Sequence, residues 1–158
     1  MHSTRRRLKF LPLAVFAACA AWGLDAAAAD ACTVVVGRVV PVTGPLIDMG
    51  RETPWLDDNK VKPVNAAGGL QVGSQKCQIV YKIYDSKGTM AGSGEAATRA
   101  ILQDKVDVIL AQGTPDTTNA PSDLCERYQI PCITSDTPVE AWLLGPDGKP
   151  KTYKYTHH

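Results

Sequence analysis

The feature that most restricts this chain is a change of hydrophobic period, repeated along its length. Four short apolar runs, at Thr33–Val40 and at residues 78–84, 106–111 and 132–134, are separated by stretches of helical pattern. The first and third runs are almost continuously apolar, as strands buried on both faces must be. Residues 89–103 place Ala96, Ala97, Ala100 and Ile101 along one helical side, and residues 119–128 do the same with Leu124 and Cys125. Pro121 fits only near the first turn of that second helix. Pro54 and Pro63 interrupt residues 47–67, so a broken or late-starting helix is expected there, followed by a turn through Gly68, Gly69 and Gly73. The βαβαβαβ order predicts an α/β fold, a Rossmann-like three-layer parallel sheet with helices on both faces and right-handed crossovers. Residues 151–156 alternate as a further strand would, after a Pro/Gly-rich turn at 145–150. The sheet is expected to be incomplete, because a strand that ends there leaves an open edge and a small core.

The N-terminus stands apart. Arg5, Arg6, Arg7 and Lys9 precede an apolar stretch at 11–24, and small residues at 26–31 offer cleavage sites. This is the layout of a secretory signal peptide over residues 1–29, with the boundary between 28 and 31. Thr4 to Leu8 partly resembles a twin-arginine export signal. A lipoprotein reading would use Cys19 or Cys32, but Phe16 and Ala29 stand where a Leu is wanted. Without residues 1–29, Lys+Arg falls from 17 to 13 and Asp+Glu from 16 to 15, which leaves a net charge of about −2. That balance argues against nucleic acid or an anionic membrane surface as a partner. No later stretch is apolar for long enough to insert in a bilayer.

Removing Cys19 with the leader leaves four cysteines, an even number in an exported chain. Cys32 and Cys77 each open a predicted strand, and those strands should be neighbours. Cys125 and Cys132 flank one helix-to-strand turn. The expected pairs are therefore Cys32–Cys77 and Cys125–Cys132, with buried free thiols as the alternative.

Motifs for chemistry are sparse. No Gly-x-x-x-x-Gly-Lys-Ser/Thr phosphate loop occurs. Gly92-Ser93-Gly94-Glu95-Ala96-Ala97 matches a dinucleotide fingerprint in spelling, but six residues separate it from Asp85 at the strand end, so it reads as close helix packing. Histidine occurs only at 2, 157 and 158, so no imidazole base is available within the body of the chain, and no G-x-S-x-G elbow is present. His157-His158 lacks companion ligands for a metal and reads as a strand end or a scar. Asp57-Asp58, Asp104 and Asp107 read as solvated faces and helix ends. Neither catalytic residues, a metal nor a cofactor is expected.

The informative stretches are hydroxyl-rich loops after the first, third and fourth strands: Pro41 to Pro45, Gln112 to Thr118, and Thr134 to Pro138. In open parallel sheets, ligands bind beyond the carboxyl ends of the strands. Thr and Ser at helix starts present hydroxyls and backbone N–H groups, a neutral means of holding a carboxylate. Any one of these loops is explained equally well by N-capping; three on one sheet edge point to a pocket.

The stretches GRVVPVTGPLIDMG, VNAAGGLQVGSQKCQIVYKIYDS, DKVDVILAQGTPDTTNAPSDLCERYQIPCITSDTP and EAWLLGPDGKPKTYKYTHH resemble, in order from residue 33 onward, the type I periplasmic substrate-binding proteins of ABC transporters. The resemblance is to the class that handles branched-chain amino acids, other amino acids and amides. It implies a two-lobed receptor that closes on its ligand by a hinge, with residues 30–158 forming a truncated N-terminal lobe. It implies that Thr114, Asp116, Thr117, Ser135, Asp136 and Thr137 lie in the loops that hold the ligand, with Thr43 and Met49 walling the pocket. Met49 stands where the family often has an aromatic, and Pro54 and Pro63 depart from its smooth first helix. Asp136 would repel a carboxylate and suits an ammonium or amide. The expected partners are an amino acid or amide and an ABC permease of the inner membrane. The expected location is periplasmic or secreted, and one lobe alone should bind weakly or not at all. A sensing module built on the same lobe is the alternative role, and an α/β enzyme the third.

Overall fold

The computed structural model describes residues 32–144 and 148–158; the leader reading and part of the 145–150 turn lie outside them. Six strands form one sheet: β1 (Thr33–Val40), β2 (Leu70–Val72), β3 (Gln75–Asp85), β4 (Val108–Gln112), β5 (Cys132–Ser135) and β6 (Thr156–His157). Their order is β2-β3-β1-β4-β5-β6, parallel except for the β2–β3 hairpin. The chain runs from β1 outward to β3, then crosses back to place β4 on the other side of β1. The strand order therefore reverses beside β1, where α/β sheets bind ligands.

Among the described residues four helices accompany the strands: α1 (Thr53–Ala66), α2 (Met90–Thr98), α3 (Pro115–Tyr128) and α4 (Val139–Leu143). A 3-10 turn, Ile47–Met49, precedes α1, and a π-helical turn, Arg99–Gln103, ends α2. α2 and α3 cover one sheet face. Their Ala96, Ala97, Ala100 and Cys125 pack on Val39, Tyr84, Ile109, Ala111 and Cys132 to make the core. Thr89 caps α2 by accepting the Gly92 N–H at 3.0 Å. The Gly92–Gly94 spelling lies inside α2, where a Cβ on Gly94 would sit 4.0 Å from Ala120 of α3. Close helix-to-helix packing explains it.

The other face is covered differently. α1 buries only Thr53 and leaves Trp55 65% and Leu56 49% exposed. Polar contacts hold it instead. The Asn65 amide both donates to the Ile79 carbonyl and accepts the Ile79 N–H, at 2.9 and 2.8 Å. Asp57 pairs with Arg38 at 3.3 Å and accepts the Tyr81 hydroxyl. Asp57 is thus a half-buried latch residue rather than a solvated one. Asp104 similarly accepts the Tyr84 hydroxyl, and Asp107 accepts the Val35 N–H at 2.7 Å.

Of the two expected bridges the first is present and the second is not, and several boundaries need correction. Cys32–Cys77 is a disulfide, with Cα atoms 4.5 Å apart, because β1 and β3 pair with Thr33 beside Gln78. Cys125 and Cys132 are free and buried. Helix end and strand start bring them together in the core as two thiols, and the hydrogen bond between them, with burial, pushes the Cys132 thiol far above its ordinary range. α3 begins four residues earlier than its apolar pattern, at Pro115, so Pro121 lies within it and not in its first turn. Residues 70–72 pair as β2 rather than turning, and only Thr156–His157 of the last alternating stretch joins the sheet.

Candidate functional site

The carboxyl ends of β1, β4 and β5 bring most of the predicted residues to one edge. The β4 loop turns at Gly113, whose φ of +145° and closeness to Thr117 (a Cβ would meet its Oγ1 at 2.3 Å) admit only glycine. Thr114 then caps α3 through its backbone. Its carbonyl accepts the N–H and the hydroxyl of both Thr117 and Thr118, each at 3.0 Å. Thr117 and Thr118 are buried, so their hydroxyls serve this turn, while Thr114 stays half-exposed. Pro115 follows at the first helical position and Asp116, exposed, sits in the first turn, where a carboxylate suits the helix dipole.

The β5 loop is tied to the β4 loop. The Gly113 N–H donates to the Ser135 carbonyl at 3.3 Å, and the Thr137 hydroxyl donates to the Gly113 carbonyl at 3.1 Å. Asp136 between them adopts a left-handed φ of +69° and is exposed. His158, the residue after β6, supports this loop: Nε2 donates to the Thr137 carbonyl at 2.7 Å, and Nδ1 meets the Thr134 hydroxyl at 2.9 Å. That hydroxyl–imidazole contact is one the histidine count did not foresee. Thr134 is 2% exposed, so no substrate reaches it, and the contact is structural.

The β1 loop divides. Met49 is half-buried, and its carbonyl accepts the Gln112 amide at 2.6 Å, which brings it to the β4 end. Thr43 turns the other way, toward β3, where Asp85 accepts its hydroxyl and its N–H together with the N–H groups of Val42 and Lys87. The structure thus gathers Met49, Thr114, Ser135 and Thr137 around Gly113 and Gln112. Thr43 lies to one side. Asp116 faces a hollow of about 500 Å³ that also includes Met90, Asn119 and Lys151. A second hollow of about 430 Å³ lies between α2 and the end of β3. Neither hollow includes Ser135 or Thr137.

Gln112 and Arg38 were missed. Gln112 accepts from Arg38 Nη2 at 2.6 Å and from Thr53 Oγ1 at 3.1 Å while donating to Met49. The signal was available: Arg38 is the one charge in TVVVGRVV, and Gln112 the one polar residue in VILAQ. No group of three or more potential metal ligands occurs among the described residues.

Burial alone would raise the Asp85 carboxyl, but the Thr43 hydroxyl and the Lys87, Thr43 and Val42 N–H groups hold it below its ordinary 3.8. A depressed carboxyl stabilises the fold above its unfolded value and loses that contribution as pH falls through the folded value. Urea midpoints should therefore be steady above about pH 5 and drop toward pH 2, with a shallower drop in Asp85→Asn. An equal acid slope in that variant would assign the effect elsewhere.

The family model described as periplasmic binding protein matches residues 33–158. Among similar solved structures is LivJ of Streptococcus pneumoniae, the substrate-binding protein of a branched-chain amino acid transporter, in complex with isoleucine. It is 24% identical over 66% of this chain and 29% of that chain, with a TM-score of 0.61. The leucine-binding protein LivK of Thermotoga maritima is 19% identical over 78% of this chain and 31% of that one, at 0.60. An R. palustris ABC transporter solute-binding protein in complex with 4-hydroxybenzoate is 20% identical over 65% and 26%, at 0.51. The chain spans about a third or less of the length of these structures.

Proposed function

Because the chain belongs to the periplasmic binding protein family, we propose that it is the extracytoplasmic solute-binding component of an ABC transporter, holding an amino acid, an amide or a related small molecule. The observation that carries this reading is the junction of the β4 and β5 loops. Gly113 is bonded to Ser135 and Thr137 on one side and packs on Thr117 on the other. This puts the Ser135 hydroxyl, the Thr114 hydroxyl (3.4 Å from that of Thr117) and the start of α3 near the point where strand order reverses. A small ligand held there is oriented by hydroxyls and amides and walled by Met49, whose thioether packs against aliphatic groups. In this role the protein works outside the cytoplasm, with a membrane permease as its partner. No helix among the described residues is long and apolar enough to cross a membrane.

One lobe supplies only part of the contacts, so binding by this chain should be weak. Titrating ¹⁵N-labelled protein with isoleucine, leucine, valine, acetamide and 4-hydroxybenzoate should shift the amides of Thr114 to Thr117 and Ser135 to Thr137 at millimolar ligand. Ser135→Ala should weaken the best ligand about tenfold, the loss of one hydrogen bond to a charged group, without changing the melting temperature. Submicromolar binding would sink the one-lobe expectation; shifts confined to the two hollows would sink the site.

A further inference from the structure

We propose that Gln112 sets the width of the cleft, and so the size of the apolar group that a ligand can carry. This rests on the binding role proposed above and names the residue that fixes its selectivity. Gln112 closes β4 and reaches both sides of the site. Its backbone pairs in register with Ser135, while its half-buried side chain holds the Met49 carbonyl. Met49 depends on that donor. The Thr53 N–H, one helical turn on, goes to the Gly50 carbonyl at 3.1 Å, and Pro54 has no N–H to give. Among the described residues, Gln112 Nε2 is therefore the hydrogen-bond donor to the Met49 carbonyl, at 2.6 Å. The turn Ile47–Met49 buries no side chain, so core packing does not fix it.

The Gln112 amide fits in one orientation. Its Oε1 accepts from Arg38 Nη2 at 2.6 Å and from Thr53 Oγ1 at 3.1 Å. Turned over, its NH₂ would face the guanidinium and its oxygen the Met49 carbonyl, setting donor against donor and acceptor against acceptor. Arg38 is itself anchored, paired with Asp57 at 3.3 Å. The side chain thus acts as a fixed strut between β1 and the turn. Gly50 anchors the turn at its other end. A Cβ there would sit 2.4 Å from the Pro41 carbonyl oxygen, so the backbone rests directly on the end of β1. Losing the Gln112 bond should release Met49 without lifting the whole turn.

Gln112→Glu keeps the shape and the bonds from Arg38 and Thr53, but turns a second acceptor toward the Met49 carbonyl. Its melting temperature should stay near that of the parent chain, while the Met49 methyl resonance of ¹³C-methyl-labelled protein moves. The preference for isoleucine over alanine, read by ¹⁵N titration at Ser135 to Thr137, should fall about tenfold, the scale on which a wall discriminates a few methylenes. The parent chain offers a check that needs no variant. One Gln112 Nε2 proton should exchange slowly, and the pair should move with isoleucine and not with alanine. A Met49 methyl and a preference both unchanged in Gln112→Glu overturn the proposal, as do Gln112 side-chain protons that exchange as freely as in a peptide. If neither solute moves Ser135 to Thr137, the receptor reading fails for those solutes. A displaced Met49 methyl then still upholds Gln112 as the residue that positions the wall.

Discussion

Breaking the Cys32–Cys77 bond should lower the stability of this lobe by about 4 kcal/mol, from the loop-closure entropy of a closed segment of this length. The bond joins the entries of β1 and β3 across a sequence separation of 45. The segment it encloses contains α1, which buries only Thr53 and adds nothing to the apolar core, so the covalent link confines a part of the chain that the core holds weakly. Cys125 and Cys132 are thiols and offer no second bridge. Urea melts of the oxidised chain and of Cys32→Ser/Cys77→Ser would measure the difference. A loss below about 1 kcal/mol would mean that the enclosed segment is already constrained in the unfolded chain.

Trp142→Ala should cost about 3–5 kcal/mol, the range for emptying a buried aromatic site, and should also weaken ligand binding. Trp142 is 5% exposed and stacks between Tyr153 and His158, with centroids 4.6 and 5.1 Å away. Its Nε1 donates to Ser122 Oγ at 3.0 Å, and that hydroxyl donates to the Thr118 carbonyl at 2.8 Å. Thr118 in turn meets Thr137 Oγ1, and His158 holds the Thr137 carbonyl. Removing the indole therefore loosens the β5 loop from two directions. Trp142→Phe should recover most of the stability but leave the Ser122 hydroxyl without its donor. Comparing melting temperature and isoleucine titration for both variants separates packing from the polar chain. Unaltered binding in a destabilised Trp142→Ala would show that the loop is positioned independently.

The parts legible in the sequence share one cause. Apolar runs such as Thr33–Val40 and the run that becomes β4 can satisfy their side chains only as strands covered on both sides, whatever their neighbours are. Hydroxyl-rich loops at the strand ends could likewise be placed on one edge without coordinates, because parallel strands share their carboxyl ends. Pro121 suggests a helix that starts at 119, yet α3 starts at Pro115 with Pro121 inside it, because the buried Thr117 and Thr118 bond back to the Thr114 carbonyl.

Local pattern thus determined the α/β alternation, the first strand pairing and with it the Cys32–Cys77 bridge, since these follow from period and order. Tertiary structure decided which hydroxyls and charges remain free for a ligand. Thr43 and Thr117 carry the same chemistry as Ser135, yet Asp85 and the Thr114 carbonyl occupy their hydroxyls, and the Thr114 hydroxyl meets that of Thr117 at 3.4 Å. Arg38 and Asp57 are 19 residues apart in sequence but adjacent across a helix and a strand. A hydrogen bond depends on which partner lies within about 3 Å, and residue type and spacing do not carry that distance.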